Sequence, residues 1–544
     1  MKKRLFPLWI AGVCAAAFFG GCAPLEGGNP GGSNPGGSNS GGNEQGGNES
    51  MTFEEARTQL LLPEENDYRS RTVVSYDDIN GAQVDVHTFY RMNGEIGNNP
   101  NFSQAVMVYQ AIAYKDANPE EEVTVTLTSF HLSIVFAACV VPGSAEYGEV
   151  KNLYEQEYTD DGYYRLSYLL VEAAKKGIEV IVVGQLDGSA TVQADGTTRA
   201  DVSFKEYFEG HLQDDAYIAG KKVSDFMTFG YCDWTSYGDK SAADMMHNKT
   251  CTVSHRLDSD GNELGAAVWT GSINVDGIHA DGRNGNDSIQ TAVIVTEHEQ
   301  LRRVTYNYTK LLTEYCNQED VVPFRAEAVE RATQQIAALE QGQTVAEDEQ
   351  IVYLGTENDK VFELYFTPFG GDFSTWDTTH NPYVKYLSKM TETARGTEYI
   401  EFFWNNVKYT QTFALADMMI DSVEDAFRIS GNKKNVLYLY LPGANTSKFD
   451  FLVPGYNVEQ RYATQVGKVP HIKDVQLSYV EGGQRYWVSL FNSLNIHEGS
   501  MYHQTNTVLA VKETVQTGNG VYVDYAMMTA GEIDLRSRRV QKAD

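Results

Sequence analysis

Two short segments, far apart in the sequence, each place a lysine two residues after a histidine. They are HNKTCTVSH, with His247 and Lys249, and HIKDVQLSY, with His471 and Lys473. Residues two apart in a strand point to one face, so each segment would present an imidazole beside an ammonium group. Two imidazoles facing one substrate suit a phosphodiester, because one can attack phosphorus while the other protonates the leaving oxygen. Such chemistry requires no metal or other cofactor, and we expect none.

A Ser-x-Asn pattern follows each segment, after a predicted hairpin. Ser272 and Asn274 form the first copy, and Ser493 and Asn495 form the second. The lysines and asparagines would hold the nonbridging oxygens as charge redistributes. If the two halves pack about a pseudo-twofold axis, both copies line a single site.

The surrounding elements also occur twice in the same order. A strand pattern from Val84 is followed by a helix that begins near Pro100, and a strand pattern from Val361 is followed by a helix that begins near Pro382. Helix and buried-strand patterns then alternate up to each His-x-Lys segment. This order predicts an α/β fold with parallel or mixed sheets covered by helices. Helical segments around residues 301–315 and 325–339 are expected to bridge the halves.

The paired motifs resemble the phospholipase D superfamily, whose signature is two copies of H-x-K-x4-D followed by G-S/G-x-N. The resemblance implies two repeats, residues 70–340 and 351–535, each an α+β sandwich with a mixed sheet flanked by helices. It also implies that His247 or His471 carries a transient phosphoryl group while the other acts as acid and base. We favour His247 as the nucleophile. Lys249, Lys473, Asn274 and Asn495 would bind phosphate, and Ser272 and Ser493 would contact substrate.

The sequence departs from that pattern at two places in each half. Ser254 and Ser478 replace the aspartate of the motif, at an odd offset that points them away from the imidazole. Gln290 and Asn506 stand where a carboxylate often supports a catalytic histidine. An amide oxygen can fix the tautomer of an imidazole, but it stabilises an imidazolium less well than a carboxylate does.

The first 52 residues have the composition of a targeting segment and a tether. Residues 1–21 combine basic residues with an apolar stretch, as export signals do. The stretch FGGC resembles a bacterial lipobox, which implies lipidation of Cys22 and attachment to the cell membrane outside the cytoplasm. Residues 22–52 are rich in Gly, Ser and Asn and predict a flexible tether.

The net charge and the cysteine content bear on the possible binding partners and on crosslinking. A formal net charge of −31 repels phosphate backbones, so we do not expect nucleic-acid binding. One chain holds both motif copies, so a monomer would contain a complete site. The sequence does not choose among the pairings of Cys139, Cys232, Cys251 and Cys316, or between disulfides and buried thiols.

These observations lead to three functional hypotheses. The first is a lipid-anchored phosphodiesterase of the phospholipase D type, with a phospholipid head group as the expected substrate. The second is a phosphatidyltransferase, in which an alcohol replaces water. The third is a noncatalytic binding protein that keeps the pocket but has lost turnover.

Overall fold

Two eight-stranded β-sheets, one from each half of the chain, form the framework of the described structure. The computed structural model describes residues 72–91, 101–130, 132, 166–185, 208–212, 217–232, 245–258, 260–275, 290–316, 322–370, 381–392, 399–403, 436–441, 457–462, 473–494, 498–514, 521 and 538–539. All of them belong to one compact unit, residues 41–544.

The strands of the first half precede residue 297. They are β1 (Thr72–Ile79), β2 (Ala82–Arg91), β3 (Thr124–Ser129), β4 (Glu179–Gln185), β5 (Tyr217–Ile218), β6 (Lys221–Lys222), β7 (Met227–Cys232), β8 (Thr250–Val253), β9 (Arg256–Leu257), β10 (Glu263–Leu264), β11 (Ala267–Gly271) and β12 (Gln290–Thr296). The strands of the second half are β13 (Phe362–Phe366), β14 (Tyr399–Phe403), β15 (Val436–Leu441), β16 (Asn457–Tyr462), β17 (Val475–Glu481), β18 (Gln484–Asn492), β19 (Thr507–Glu513) and β20 (Arg538–Arg539).

Seven strands occur in the same spatial order in both sheets. The first sheet runs β1-β2-β12-β11-β8-β3-β4-β7, and the second runs β13-β19-β18-β17-β14-β15-β16-β20. From β2 and from β13, four antiparallel pairings are followed by two parallel ones. Each sheet adds one antiparallel edge strand, β1 or β20, at opposite ends of this order. The chain is therefore a mixed α/β protein with two sheets of matching topology.

The α-helices are α1 (Asn101–Ala117), α2 (Leu166–Lys175), α3 (Glu299–Tyr315), α4 (Val322–Glu340), α5 (Pro382–Glu392) and α6 (Glu498–Tyr502). Helices α1 and α2 cover one face of the first sheet, and α3 covers the other. In β4, Val180 and Val182 pack in a core cluster with α1 and α2, whereas Ile181 and Val183 pack in a second cluster with α3. Burial of both faces explains the uninterrupted apolar run of this parallel strand. Each such side chain contributes about 1.5–3 kcal/mol on burial.

The second core cluster continues into the other sheet. It contains Leu301 and Val304 of α3 together with Leu490 of β18 and Val508 of β19. The predicted bridging helices correspond to α3 and α4. Among the helices of the described residues, none has both the length and the apolar character of a membrane span.

A buried polar cluster fixes the start of α3. His298 is the N-cap residue, and its Nδ1 accepts a hydrogen bond of 3.3 Å from the Leu301 backbone N–H. Its Nε2 lies 2.8 Å from Asp359 Oδ2, which also accepts a 2.6 Å hydrogen bond from the Tyr353 hydroxyl. Burial alone would raise the pKa of Asp359, but these hydrogen bonds more than offset it and hold the pKa below its usual value. The cluster ties α3 to the segment that leads into β13.

Candidate active site

The described residues of the two His-x-Lys motifs lie just before a strand, not within one. Strand β8 begins at Thr250 and β17 begins at Val475, so His247 and Lys473 precede them. The backbone N–H of His247 instead donates to Thr505 O at 2.9 Å. The first segment thus leaves its own sheet and pairs with the chain that enters β19. The alternation of a regular strand, from which we predicted a shared face for histidine and lysine, does not apply there.

The His247 imidazole is held by an amide from the other half of the chain. Its Nδ1 lies 2.8 Å from Asn506 Oδ1, and the His247 residue is 4% exposed. Asn506 Nδ2 donates to Thr367 Oγ1 at 3.2 Å and to Ser500 O at 3.0 Å. The Thr367 hydroxyl donates to Gln504 O at 2.7 Å, so it is an acceptor toward Asn506.

These contacts assign the orientation of the amide and the tautomer of the imidazole. Because two acceptors face Asn506 Nδ2, the amide oxygen must face His247. His247 Nδ1 then carries the hydrogen, and in the neutral ring Nε2 keeps its lone pair. A neutral imidazole with a lone pair on Nε2 is the form that can attack an electrophile.

The surroundings of residue 506 favour an amide over a carboxylate. A carboxylate at this position would place a charged oxygen where Nδ2 now lies, 3.0 Å from the Ser500 carbonyl oxygen. Two oxygens that both lack a hydrogen repel each other at this distance. The amide that replaces the expected carboxylate at residue 506 therefore suits the two acceptors that surround it, Thr367 Oγ1 and Ser500 O.

Both motif lysines are completely buried. Lys249 Nζ donates to His247 O at 3.1 Å and lies 5.7 Å from the centre of the Phe130 ring. The same ring lies 5.1 Å from the His247 ring, so Phe130 contacts both side chains. Lys473 is anchored through its carbonyl, which accepts a 2.7 Å hydrogen bond from Asn492 Nδ2.

The two serines occupy equivalent places in the two sheets. The Ser272 N–H donates to Thr291 O at 2.9 Å, and its Oγ accepts from the Thr291 N–H at 3.0 Å. The Ser493 N–H donates to Thr507 O at 3.2 Å, and its Oγ accepts from the Thr507 N–H at 3.1 Å. Both hydroxyls thus support the strand ends, and their contact with substrate stays a prediction. Asn274 is buried two residues beyond Ser272.

Further hydrogen bonds join the two halves beside the motifs. The Thr291 hydroxyl donates to Asp474 Oδ2 at 2.6 Å, and Asp474 Oδ1 accepts from the Asn492 N–H at 3.2 Å. In the opposite direction, Asn248 Nδ2 donates to Thr507 Oγ1 at 3.1 Å. Each motif copy is therefore fixed against a strand start of the other half.

The motif position that lost its aspartate is structural in the first copy. Ser254 Oγ accepts from the Thr124 N–H at 2.9 Å, and the Ser254 N–H donates to Thr124 O at 3.1 Å. These contacts join the end of β8 to the start of β3. The scaffold role agrees with the prediction for Ser254, although the strand alternation behind that prediction begins only at Thr250. The Ser478 backbone lies in β17.

Several predicted residues lie outside the described part of the chain. These are His471, Asn495 and Cys22, together with the signal and the tether. Gln290 begins β12 and is the counterpart of Asn506, which immediately precedes β19. The separation of the two histidines and the four-residue phosphate site therefore stay predictions.

Two buried residues of the site were not singled out from the sequence. Phe130 directly follows β3 and contacts both His247 and Lys249. Asp474 directly follows Lys473 and would have been visible as the only acid within the two His-x-Lys segments. Its position next to the motif lysine was the available signal.

The comparisons with known proteins give a limited result. Neither a protein-family model nor a curated protein sequence matches the chain. Polyphosphate kinase from Porphyromonas gingivalis is similar in structure, with a TM-score of 0.41 and 10% identity over 84% of this chain and 49% of that one. A phospholipase D family member, Nuc from Salmonella typhimurium, has a TM-score of 0.20 and 14% identity over 42% of this chain and 92% of that one. The chain spans about half the length of the polyphosphate kinase. At these TM-scores the similarities add nothing to the mixed α/β architecture described above.

Proposed function

We propose that the chain is a phosphodiesterase of the phospholipase D type. His247 Nε2 attacks phosphorus and forms a phosphohistidine, while His471 protonates the leaving oxygen and then activates water. The two repeats pack about a pseudo-twofold axis, and Lys249, Lys473, Asn274 and Asn495 hold the nonbridging oxygens. No step of this scheme is assigned to a metal or another cofactor.

One observation carries this proposal, namely the hydrogen bond of 2.8 Å between His247 Nδ1 and Asn506 Oδ1. It joins the two halves at a motif histidine and selects the tautomer that a nucleophile needs. Hydrogen bonds then connect Asn506 through Ser493 to the strand end that holds Lys473. The His247 ring and the Lys473 backbone are thereby linked through Asn506, Ser493 and the adjacent Asn492, while Lys249 bonds the His247 carbonyl.

The substrate and location are part of the same proposal. The signal in residues 1–21 and the FGGC stretch support a lipoprotein that is attached through Cys22 to the cell membrane outside the cytoplasm. A phosphodiester of a phospholipid head group would then be within reach of the tethered body. Transfer of the phosphatidyl group to an alcohol is the same chemistry with a different acceptor.

A noncatalytic phosphodiester-binding protein is the second candidate. The amide at Asn506 favours it, because an amide stabilises an imidazolium less well than a carboxylate does. Such a protein would bind the same anions without turning them over.

The test uses the purified full-length chain in detergent with EDTA. Bis-p-nitrophenyl phosphate and a short-chain phosphatidylcholine are the substrates. We expect hydrolysis that falls by roughly 10²- to 10⁴-fold or more in His247→Ala and in His471→Ala. His255→Ala is the matched control, since His255 lies beyond β8 and stacks on Tyr114. Binding of the phosphatidylcholine without release of product in the wild type would support the second candidate.

A further inference from the structure

Two of the three described cysteines lie side by side. Cys232 Sγ and Cys316 Sγ are 3.4 Å apart, and both residues are buried in the core cluster that contains α3. Cys251 is also buried, but it lies in the cluster that contains α1 and α2. The third thiol is therefore separated from the pair by the first sheet.

Regular structure holds both members of the pair in place. Cys232 is the last residue of β7, and Cys316 is the C-cap of α3, with its N–H donating to Leu312 O at 3.0 Å. A Cβ on Gly230 would come within 2.8 Å of Cys316 Cβ and 2.9 Å of its Sγ. The glycine therefore permits Cys316 to pack directly on β7. The sulfurs need to move only on the order of 1 Å to reach the bonded distance of about 2 Å.

We propose that Cys232 and Cys316 form a disulfide in the mature protein. Each thiol loses its proton, the S–S bond forms, and two electrons pass to the oxidant. The oxidant is the disulfide of a thiol oxidoreductase outside the cytoplasm, which is reduced to two thiols through a mixed disulfide. This proposal rests on the proposed location outside the cytoplasm, but it does not depend on the proposed activity.

Timing follows from burial. Burial raises the pKa of the Cys232 thiol well above its ordinary value, and the contact with Cys316 raises it further. Because the thiolate is the reactive form, the folded core resists oxidation and the bond forms before the core closes. The same burial protects the finished bond from reductants.

The crosslink would enclose the first motif copy. The two cysteines are 84 residues apart in sequence, and the loop between them carries His247, Lys249, Ser272 and Asn274. A crosslink across a long loop removes conformational freedom from the unfolded chain and so stabilises the folded one.

The test compares the full chain exported to a bacterial periplasm with the same chain made in a reducing cytoplasm. Peptide mapping under nonreducing conditions, after alkylation in denaturant, should find the Cys232–Cys316 link in the exported protein alone. The protein made in the reducing cytoplasm, which lacks the link, should have a Tm lower by on the order of 5 °C. That difference should vanish in Cys232→Ala and persist in Cys251→Ala, the matched buried control.

Two results would overturn the proposal. One is alkylation of both Cys232 and Cys316 in the exported wild-type protein. The other is a link from either residue to Cys139. Both are read from wild-type protein, so they do not depend on the folding of a variant.

Discussion

The two motif copies stand on the same scaffold but are held in different ways. In both, a serine at the end of one strand exchanges hydrogen bonds with a threonine at the start of the next, Ser272 with Thr291 and Ser493 with Thr507. Around the first copy, the histidine is fixed by an amide from the other half, Asn506.

Around the second copy, the carbonyl of Lys473 is held by a side chain of its own half, Asn492. The side-chain amide of Asn492 donates to the Lys473 carbonyl, and the backbone N–H of Asn492 donates to the Asp474 carboxylate. Its counterpart in the first copy is Gly271, where an added Cβ would lie 2.3 Å from Thr291 O. At equivalent positions, the first copy therefore has a glycine that permits close backbone approach, whereas the second has an amide side chain that holds the carbonyl of its lysine.

Among the variants that test this difference between the copies, the lysine variants should have the largest effect, and they test whether both copies act on one substrate. We expect Lys249→Ala and Lys473→Ala each to lower kcat/KM by roughly 10²- to 10³-fold, because each ammonium stabilises charge that develops on phosphate oxygens. Steady-state hydrolysis of bis-p-nitrophenyl phosphate measures this. Full activity in Lys473→Ala would show that the second copy does not act on this substrate.

The amide that holds the first histidine should matter less. Asn506→Ala is expected to lower kcat/KM by about 10- to 100-fold, as loss of a supporting partner typically does. Asn506→Asp should not restore activity, because its carboxylate would meet the Ser500 carbonyl. The pH profile of kcat/KM distinguishes positioning from simple loss of structure, since only positioning shifts the limb that reports His247. Activity of Asn506→Asp above wild type would contradict this account of the amide.

Gly271 and Asn492, the residues before the two serines, should differ in how much their replacement by alanine lowers the free energy of unfolding. Gly271→Ala forces a Cβ against the Thr291 backbone, and we expect about 1–3 kcal/mol of destabilisation. Asn492→Ala should lower the free energy of unfolding by about 1 kcal/mol, since it loses the hydrogen bond to the Lys473 carbonyl. Urea unfolding of both variants measures which of them lowers the free energy of unfolding more. Equal tolerance at the two positions would contradict the asymmetry.

Asp359, a carboxylate outside both motif copies, should give the smallest effect, a change in the pH dependence of thermal stability. The folded-state pKa of Asp359 lies below its ordinary value, so its contribution to stability is present above the unfolded-state pKa. That contribution is lost as the pH falls through the folded-state pKa. Thermal unfolding from pH 6 downward should therefore show a decline that is weaker in Asp359→Asn. If the Tm of Asp359→Asn falls with decreasing pH as steeply as that of the wild type, Asp359 does not contribute to the acid dependence of stability.

Much of the framework could be predicted from the sequence. The alternation of strand and helix patterns predicts mixed sheets with helices. The pair Gly482 and Gly483 predicts the tight turn between β17 and β18, where both residues have positive φ, 60° and 83°. Local periodicity decides such features, so a sequence pattern suffices.

The contacts between the halves could not be predicted in this way. Asn506 meets His247 because the segment before β8 leaves its sheet to pair with Thr505, and no local pattern encodes that departure. The choice of an amide at 506 depends on Thr367 and Ser500, which come from two other segments. Cross-segment hydrogen bonds of this kind follow from tertiary packing.

The most direct test of the account is to trap the phosphorylated histidine. A p-nitrophenyl phosphodiester has a leaving group that needs no protonation, so His471→Ala should react once and then stall without its base for water. Rapid acid-free quenching and mass spectrometry of the peptide that spans residues 245–258 should find one adduct on His247, a phosphoryl group that still carries the second ester group of the substrate. No adduct on His247 in this variant, together with hydrolysis that survives in His247→Ala, would contradict the central claim.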